Sequence, residues 1–177
     1  MFSETQWKVL GFSVVQDNCR EAAVGKLGIQ RHPPTSMLLS LLEKTPPLNE
    51  AIARQWFEIL SERISSKYPL ALRFMPHEKV VGFTQAQLII LSRLPIVPTK
   101  GSGSQQLRWL TPTQCYLGDS TKGEFHSKLF VFVDFGRVAN RFLSACGSKS
   151  EPSIDEVAEI LISNPHKFYK LSGGYEK

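Results

Sequence analysis

The chain has 177 residues, 42% of them hydrophobic and 21% charged, a composition typical of one compact globular domain with its own core. It contains no apolar run close to the ~20 residues that span a bilayer and no secretory leader at its N-terminus. Its three cysteines lie far apart, without a CxxC pair. An intracellular protein of the cytoplasm or nucleus is therefore expected, with neither a membrane span nor a disulfide framework.

Charge is unevenly distributed along the chain, whose net charge is +5. Residues 1–150 carry 18 Lys and Arg against 11 Asp and Glu, whereas residues 151–177 carry 3 against 5. A basic body permits contact with nucleic acid, but such contact needs the charges to cluster on one face. We favour the interpretation that the basic residues form an ordinary solvated surface.

Two short helices are predicted near the N-terminus. Ser3 and Gln6 have the spacing of a capping box, in which an N-cap hydroxyl and a returning amide satisfy exposed backbone donors. A second helix is predicted in DNCREAAVGKLG, with Asp17 as its cap and Gly28 as the left-handed residue that ends it.

Two longer helices are predicted to follow. The first lies between the proline pairs at 33–34 and 46–47, with Ser36 as its N-cap. The second is the clearest, because its apolar residues recur at helical spacing on one stripe while the charged residues, Arg63 among them, lie mostly elsewhere. The stripe consists of Ala51, Ile52, Trp56, Ile59, Leu60 and Ile64.

Beyond residue 83, short helices alternate with short strands. Thr84 and Gln87 repeat the capping-box spacing and predict a nearly all-apolar helix that is buried on most sides. The runs IVP and LRWL, joined by the polar link KGSGSQQ, predict a hairpin. Because Pro95 and Pro98 lack amide hydrogens, the first strand is expected at a sheet edge.

The C-terminal third begins with a capped turn and a strand. Thr111 and Gln114 have capping spacing, with Pro112 at the first helical position, before CYL resumes extended structure. Residues 129–135, LFVFVDF, predict a strand covered on both faces.

Three helices are predicted after Gly136. In RVANRFLSACG, Val138, Phe142 and Cys146 share a face, and Gly147 ends the helix. A Ser-x-x-Glu capping box opens IDEVAEILIS, and a proline begins a last short helix in PHKFYKLSGG.

These elements predict an α/β (α+β) fold of five to eight helices around a small sheet. Residues 1–66 are expected to form a helical subdomain, residues 67–93 a connector with a short buried helix, and residues 94–177 a small sheet with C-terminal helices. The helices of residues 3–65 would form one layer of a single compact unit, and the later elements the other.

The glycine-rich link is interpreted as a hairpin tip and not as a phosphate-binding loop. Phosphate loops run directly into a helix and close on Lys and Ser or Thr. Here Lys100 precedes the glycines and a strand-like run follows, so no cofactor is expected.

The sequence offers no convergent set of catalytic or metal-binding groups. Cys146 lies on an apolar helix stripe, so it and Cys115 are expected to be packing residues. Asp134 directly precedes a glycine and is expected to cap the next helix, and His126 is expected to fix a loop entry. The other acidic and imidazole candidates are scattered: Asp119, Glu124, His32, His77 and His166.

Several segments resemble one family: REAAVGKLGIQRHPPTSMLLSLLE, LPIVPTK followed by TPTQCYLGD, EFHSKLFVFVDFGRVANRFLSACGSKSEPS, and NPHKFYKLSGGYE. They are similar to an interior region of large fungal proteins that carry an N-terminal GHKL-type ATPase domain, themselves distantly similar to sacsin and the plant NO VEIN proteins. The resemblance covers most of residues 10–175 and departs from the pattern between residues 66 and 86.

The resemblance implies a part of a larger protein. In that family the ATP-binding residues belong to the N-terminal domain, so it assigns no catalytic residue to this chain. The expected partners are the remainder of an ATPase-containing protein or other proteins.

The leading hypothesis is a non-catalytic structural or protein-interaction module with a chaperone-type role in its parent. The contact element is expected at the hairpin loop and the strand that follows it: Lys100, Gly101, Gln106, Arg108 and Trp109. A nucleic-acid-binding module with a winged-helix-like C-terminal part is the alternative, and a hydrolase using a reactive cysteine is a third class.

Overall fold

Helices dominate the described residues, which in this computed structural model are 1–15, 25–64, 82–100, 106–118 and 129–171. The predicted α+β class is confirmed. The helices are α1 (Thr35–Lys44), α2 (Glu50–Ser61), α3 (Gln85–Leu91), α4 (Arg137–Ala145), α5 (Ile154–Ser163) and α6 (Pro165–Leu171), with 3-10 helices at Thr5–Leu10 and Pro112–Gln114. The strands are β1 (Val97–Lys100), β2 (Leu107–Leu110), β3 (Cys115–Leu117) and β4 (Val131–Val133).

The predicted N-terminal helix is a 3-10 helix that begins after Glu4 and has no side-chain cap. The prediction that Ser3 caps it is wrong, because Ser3 is buried and its backbone N–H donates to the carbonyl of Gln30 at 3.2 Å. Gly28 has the predicted positive φ, 62°. Most of the helix predicted before it, including Asp17, lies outside the described residues.

Helix α1 lies between the two proline pairs as predicted, but its N-cap is Pro34 and not Ser36. Because Pro34 is already extended and fixed in φ, the helix begins directly after it. Ser36 is an exposed residue of the first turn. The helix buries Leu38 and Leu42 against the core.

Helix α2 is where predicted, but its buried face is rotated from the predicted stripe. Ala53, Phe57 and Leu60 are fully buried, whereas Ala51 is exposed and Trp56 is half-buried. The reason is the facing helix α4, since the ring of Phe57 stacks on that of Phe142 at 5.3 Å between centroids. The side chain of Asn49 caps α2 by accepting from the backbone of Ile52 at 2.9 Å.

Arg63, expected on the polar side of α2, is buried just beyond its C-terminus with 4% exposure. Its Nη2 donates to the carbonyl of Pro33 at 3.1 Å, and its guanidinium lies 5.8 Å from the ring centroid of Trp7. Burial lowers the pKa of this arginine. The side chain therefore links α2 to the N-terminal segment.

Helix α3 has the predicted reciprocal capping between Thr84 and Gln87. The prediction that it is buried on most sides is wrong. Only Leu91 is buried, while Ile89 and Ile90 are 48% and 47% exposed. The helix has just seven residues and contacts the core along one side, so its apolar run faces both inward and outward.

The predicted hairpin is confirmed, with β1 antiparallel to β2 and Pro98 opposite Trp109. Strand β3 is parallel to β4, with Tyr116 opposite Phe132. The described strands therefore form two separate two-stranded sheets and not one. The prediction of a long strand covered on both faces at 129–135 is wrong, because β4 has three residues and Phe132 is only half-buried.

Helix α4 begins after Gly136, whose φ is 89°, and ends before Gly147 as predicted. Phe142 and Cys146 are buried as predicted, but Val138 is 45% exposed. The face toward α2 is centred between Ala139 and Phe142, so Val138 lies on its outer flank.

Most of the buried hydrophobic residues form one cluster to which both halves of the chain contribute. None of the helices in the described ranges is both long enough and apolar enough to cross a membrane. The largest fully buried side chains include Trp7, Leu38, Phe57, Ile96 and Phe142.

Candidate functional site

The hairpin residues expected to make contacts are divided between two faces of the ribbon. Successive residues of a strand point to opposite faces, so Arg108 lies on the face of its partner Thr99, and Trp109 on the face of Pro98. Lys100, Gln106 and Arg108 are exposed, and Gly101 lies outside the described residues. Their role in binding stays a prediction.

Trp109 is neither a core residue nor a free aromatic. The residue is 38% exposed, and its indole N–H donates to the carbonyl of Pro47 at 2.8 Å. This bond ties β2 to the turn before α2.

The two described thiols are packing residues, as expected. Cys115 and Cys146 are each 1% exposed. Burial raises the pKa of both thiols to about 12, so neither is a thiolate nucleophile at neutral pH. No group of three or more His, Cys, Asp or Glu residues that could hold a metal ion occurs among the described residues.

Asp134 fixes the turn between β4 and α4. Its Oδ1 accepts from the backbone N–H of Gly136 at 2.8 Å and from the side-chain amide of Asn140 at 2.9 Å. These two hydrogen bonds lower the pKa of Asp134. The prediction that Asp134 caps α4 is partly correct, because its carboxylate binds the backbone of Gly136, the N-cap residue itself. Asn140 completes the turn, since its side-chain oxygen accepts from the N–H of Phe135 at 3.0 Å.

A cavity of about 300 Å³ lies beside this turn. The first turns of α2 form one wall, with Glu50 and Arg54. Pro98 and Thr99 of β1 form a second wall, and the consecutive residues 132–135 form the third. Arg54 contacts the turn closely, because a Cβ on Gly136 would lie 2.7 Å from its Nη2.

An exposed apolar surface lies on α5. Ile154, Ala158, Leu161 and Ile162 follow the spacing i, i+4, i+7, i+8 and form one stripe, here called the α5 stripe. Ile154 and Ile162 are 87% and 81% exposed, and no residue of α5 is buried.

The base of α5 is held by polar contacts. Glu156 forms a capping box with Ser153, as predicted, and accepts from Nζ of Lys149 at 2.8 Å. The pKa of Tyr116 is raised by burial first and by the charge of Glu156 next. Helix α5 is therefore fixed at its N-terminal end while its apolar stripe stays uncovered.

Sequence reasoning missed both of these places. The residues around the cavity come from three distant segments, and nothing in their local patterns indicates that they meet. The α5 stripe, in contrast, has a periodicity that is visible in IDEVAEILIS. Periodicity predicts that a helix has an apolar face, but it does not predict whether another element of the chain covers that face.

The fold and these surfaces define an α+β domain whose described residues form one core and leave an apolar helix stripe and a strand-edge cavity open. The family described as "Protein of unknown function (DUF3684)" matches residues 1–177, so the chain belongs to that family. No curated protein sequence and no solved structure matches the chain significantly.

Proposed function

We propose that the chain is a non-catalytic protein-interaction module and that the α5 stripe is its contact surface. The observation that carries the proposal is that α5 is amphipathic yet buries no residue. A helix of a globular protein ordinarily turns such a stripe toward a core. Contiguous exposed apolar surface is typical of a site that another protein covers.

The spacing of the stripe also indicates how a partner would bind. Side chains at i, i+4, i+7 and i+8 of a helix are the anchors that fill a hydrophobic groove on a second protein. The first and last members of the stripe, Ile154 and Ile162, are the most exposed. A groove that covers the whole length of α5 fits this arrangement best.

The resemblance to an interior region of fungal GHKL-ATPase proteins supports a wider context. In that context the chain is a structural or interaction segment of a sacsin-like or NO VEIN-like protein, with a chaperone-related role in the parent. The groove that receives α5 would then belong to the rest of the parent protein or to one of its partners.

Site-specific photocrosslinking tests the proposal. A benzophenone amino acid is placed at Ile154, in the stripe, or at Ser163, in the full-length natural protein inside its own cells. Ser163 is exposed and lies nine residues further along, half a turn around the same helix from Ile154. We expect one defined crosslinked product from position 154 and none from position 163. Equal crosslinking at both positions, or none at either, would contradict the proposed function.

A further inference from the structure

The outer edge of β4 is unpaired among the described residues. Strand β3 is covered on both sides, since the N–H of Leu117 donates to the carbonyl of Lys149 at 2.7 Å and that of Gly118 to the carbonyl of Val133 at 3.1 Å. Within the described ranges, β4 pairs with β3 on one side only. Its other side carries no strand from those ranges and is an edge in that sense.

The hydrogen-bond pattern determines which backbone groups lie on that edge. The carbonyl of Val133 faces β3, and the backbone groups of successive residues point to opposite edges of a parallel strand. The N–H and C=O groups of Phe132 therefore point away from β3. The N–H of Asp134 does so as well, because it lies opposite the Val133 carbonyl across a trans peptide bond. Neither backbone is hydrogen-bonded to another backbone group on that side within the described ranges.

The cavity lies at this edge and not on a face of the sheet. A pocket on a face would be lined by every second residue of the strand, whereas this one is lined by four consecutive residues, 132–135. Its volume of about 300 Å³ lies at the small end of the range of ligand pockets, ~300–1,000 Å³. Pro98 on the opposite wall has no N–H, whereas the edge of β4 presents the N–H groups of Phe132 and Asp134.

We propose that this cavity binds an extended peptide segment of a partner protein, which adds to the outer edge of β4 as a further strand. Phe132 and Asp134 direct backbone groups away from β3, and Val133 between them directs its groups toward β3. This two-residue spacing is the same as that of the hydrogen-bonding groups along one edge of an added strand. A basic side chain is the best complement, because the carboxylates of Glu50 and Asp134 line the cavity. Arg54 also lines the cavity and its charge acts on Asp134, but it forms an exposed ion pair with Glu58 at 3.6 Å. With two carboxylates and one guanidinium, the lining keeps a net negative charge.

This inference goes beyond the proposed function, because it assigns a second surface and does not require the α5 stripe. The two surfaces are separable by substitution. Ile162→Glu should abolish contacts through the stripe and leave peptide binding at β4 unchanged. Loss of peptide binding in that variant would overturn the assignment to β4.

The test uses a phage-displayed library of random linear decapeptides, selected against the purified chain. We expect enriched peptides that carry Lys or Arg and that slow the amide hydrogen exchange of Phe132 and Asp134 by about tenfold or more. The amide of Val133, already directed at β3, should change little. Failure to enrich peptides, or enriched peptides that leave the first two amides unprotected, would overturn the proposal.

Matched variants probe the backbone contact itself. Phe132→Pro removes the outward N–H, whereas Phe132→Val keeps it in a residue suited to a strand. We expect the proline variant to bind an enriched peptide about fivefold more weakly than the valine variant, which corresponds to the loss of one hydrogen bond.

The peptide offers the same test without any change to the protein. N-methylation of alternate peptide amides blocks hydrogen bonding along one edge of the added strand, and methylation of the intervening amides blocks the other edge. We expect only one of the two methylated peptides to lose affinity. Equal affinity of both would contradict strand addition.

Discussion

Helices α2 and α5 carry the same kind of amphipathic pattern and have opposite fates. In α2, Phe57 is fully buried because α4 lies across it, and the rings of Phe57 and Phe142 stack at 5.3 Å. In α5 no residue is buried. An apolar stripe on a helix therefore indicates that another surface covers it, but it does not indicate whether that surface belongs to the same chain or to a partner.

The two helices also differ in how they are attached. Helix α2 is held by aromatic packing on Phe135 and Phe142 and by the Asn49 cap. Helix α5 is held at its first turn by Ser153, Lys149 and Glu156 through polar contacts. Packing resists changes in pH and salt better than exposed polar contacts do, so the two regions should respond differently to the same perturbations.

The largest expected effect is in the packed region. Phe142→Ala should lower the free energy of unfolding by about 3–5 kcal/mol, because it removes a buried ring and leaves a cavity. Urea denaturation followed by circular dichroism measures this change. The matched substitution Ile162→Ala on α5 should change the free energy by less than about 0.5 kcal/mol, and a cost similar to that of Phe142→Ala would mean that α5 is packed after all.

A smaller effect is expected at the junction of the packed region with the cavity. Gly136→Ala should destabilise the fold by about 1–3 kcal/mol, because φ at this position is 89° and a side chain is strained there. The new Cβ would also approach Nη2 of Arg54 to 2.7 Å. Thermal unfolding of Gly136→Ala with and without Arg54→Ala separates the two causes. We expect the double variant to remain destabilised, because the backbone strain is still present. Full recovery of stability in the double variant would exclude backbone strain as a cause.

The attachment of α5 should depend on pH. Hydrogen bonds from Lys149 and Ser153 lower the pKa of Glu156 from 4.5 to about 2. Because the folded-state value is the lower one, this contact contributes fully above pH 4.5 and is lost as the pH falls toward 2. Carboxyl chemical shifts followed by NMR should give that low pKa, and Lys149→Ala should raise it. A pKa near 4.5 in the unsubstituted chain would mean that these contacts do not form in solution.

The smallest expected effect is at the buried thiols. Cys115 and Cys146 have pKa values near 12, so both should react with iodoacetamide at pH 7 far more slowly than an exposed model thiol. Mass spectrometry of the alkylated peptides measures each rate. Rapid modification of either residue in the folded chain would revive the hydrolase hypothesis.

Nucleic-acid binding is separable from these effects by salt. Phosphate contacts make affinity fall steeply as salt concentration rises. If the basic residues form only a solvated surface, titration with duplex and single-stranded DNA at low salt should give no specific binding. Tight, strongly salt-dependent binding would favour the alternative module over a protein-interaction role.

The sequence predicted local structure well where short-range chemistry acts without competition from distant segments, and it failed at Ser3, which is buried against the segment that contains Gln30. The capping boxes at Thr84 and Ser153 form as predicted, and at Thr111 the side chain of Gln114 accepts from the backbone N–H of Thr111 at 3.1 Å, because the interacting groups lie within four residues of each other. The hairpin also forms as predicted, and Pro98 lies in β1, which is an edge strand of a two-stranded sheet.

The errors arose where a distant element decides the outcome. Val138 was expected inside and Arg63 outside, and both are reversed because the directions of α4 and of the N-terminal segment were unknown. The cavity beside β4 was missed for the same reason, since Arg54, Thr99 and Asp134 meet only in the folded chain.

The contrast between the two regions is tested most directly by the solvent accessibility of isoleucine methyl groups in the isolated chain. A soluble nitroxide broadens the NMR signals of exposed methyl groups. We predict strong broadening for Ile154 and Ile162, which are 87% and 81% exposed, and little for Ile96, which is fully buried. Equal protection of all three would contradict the account, because it would mean that the α5 stripe is already covered by this chain.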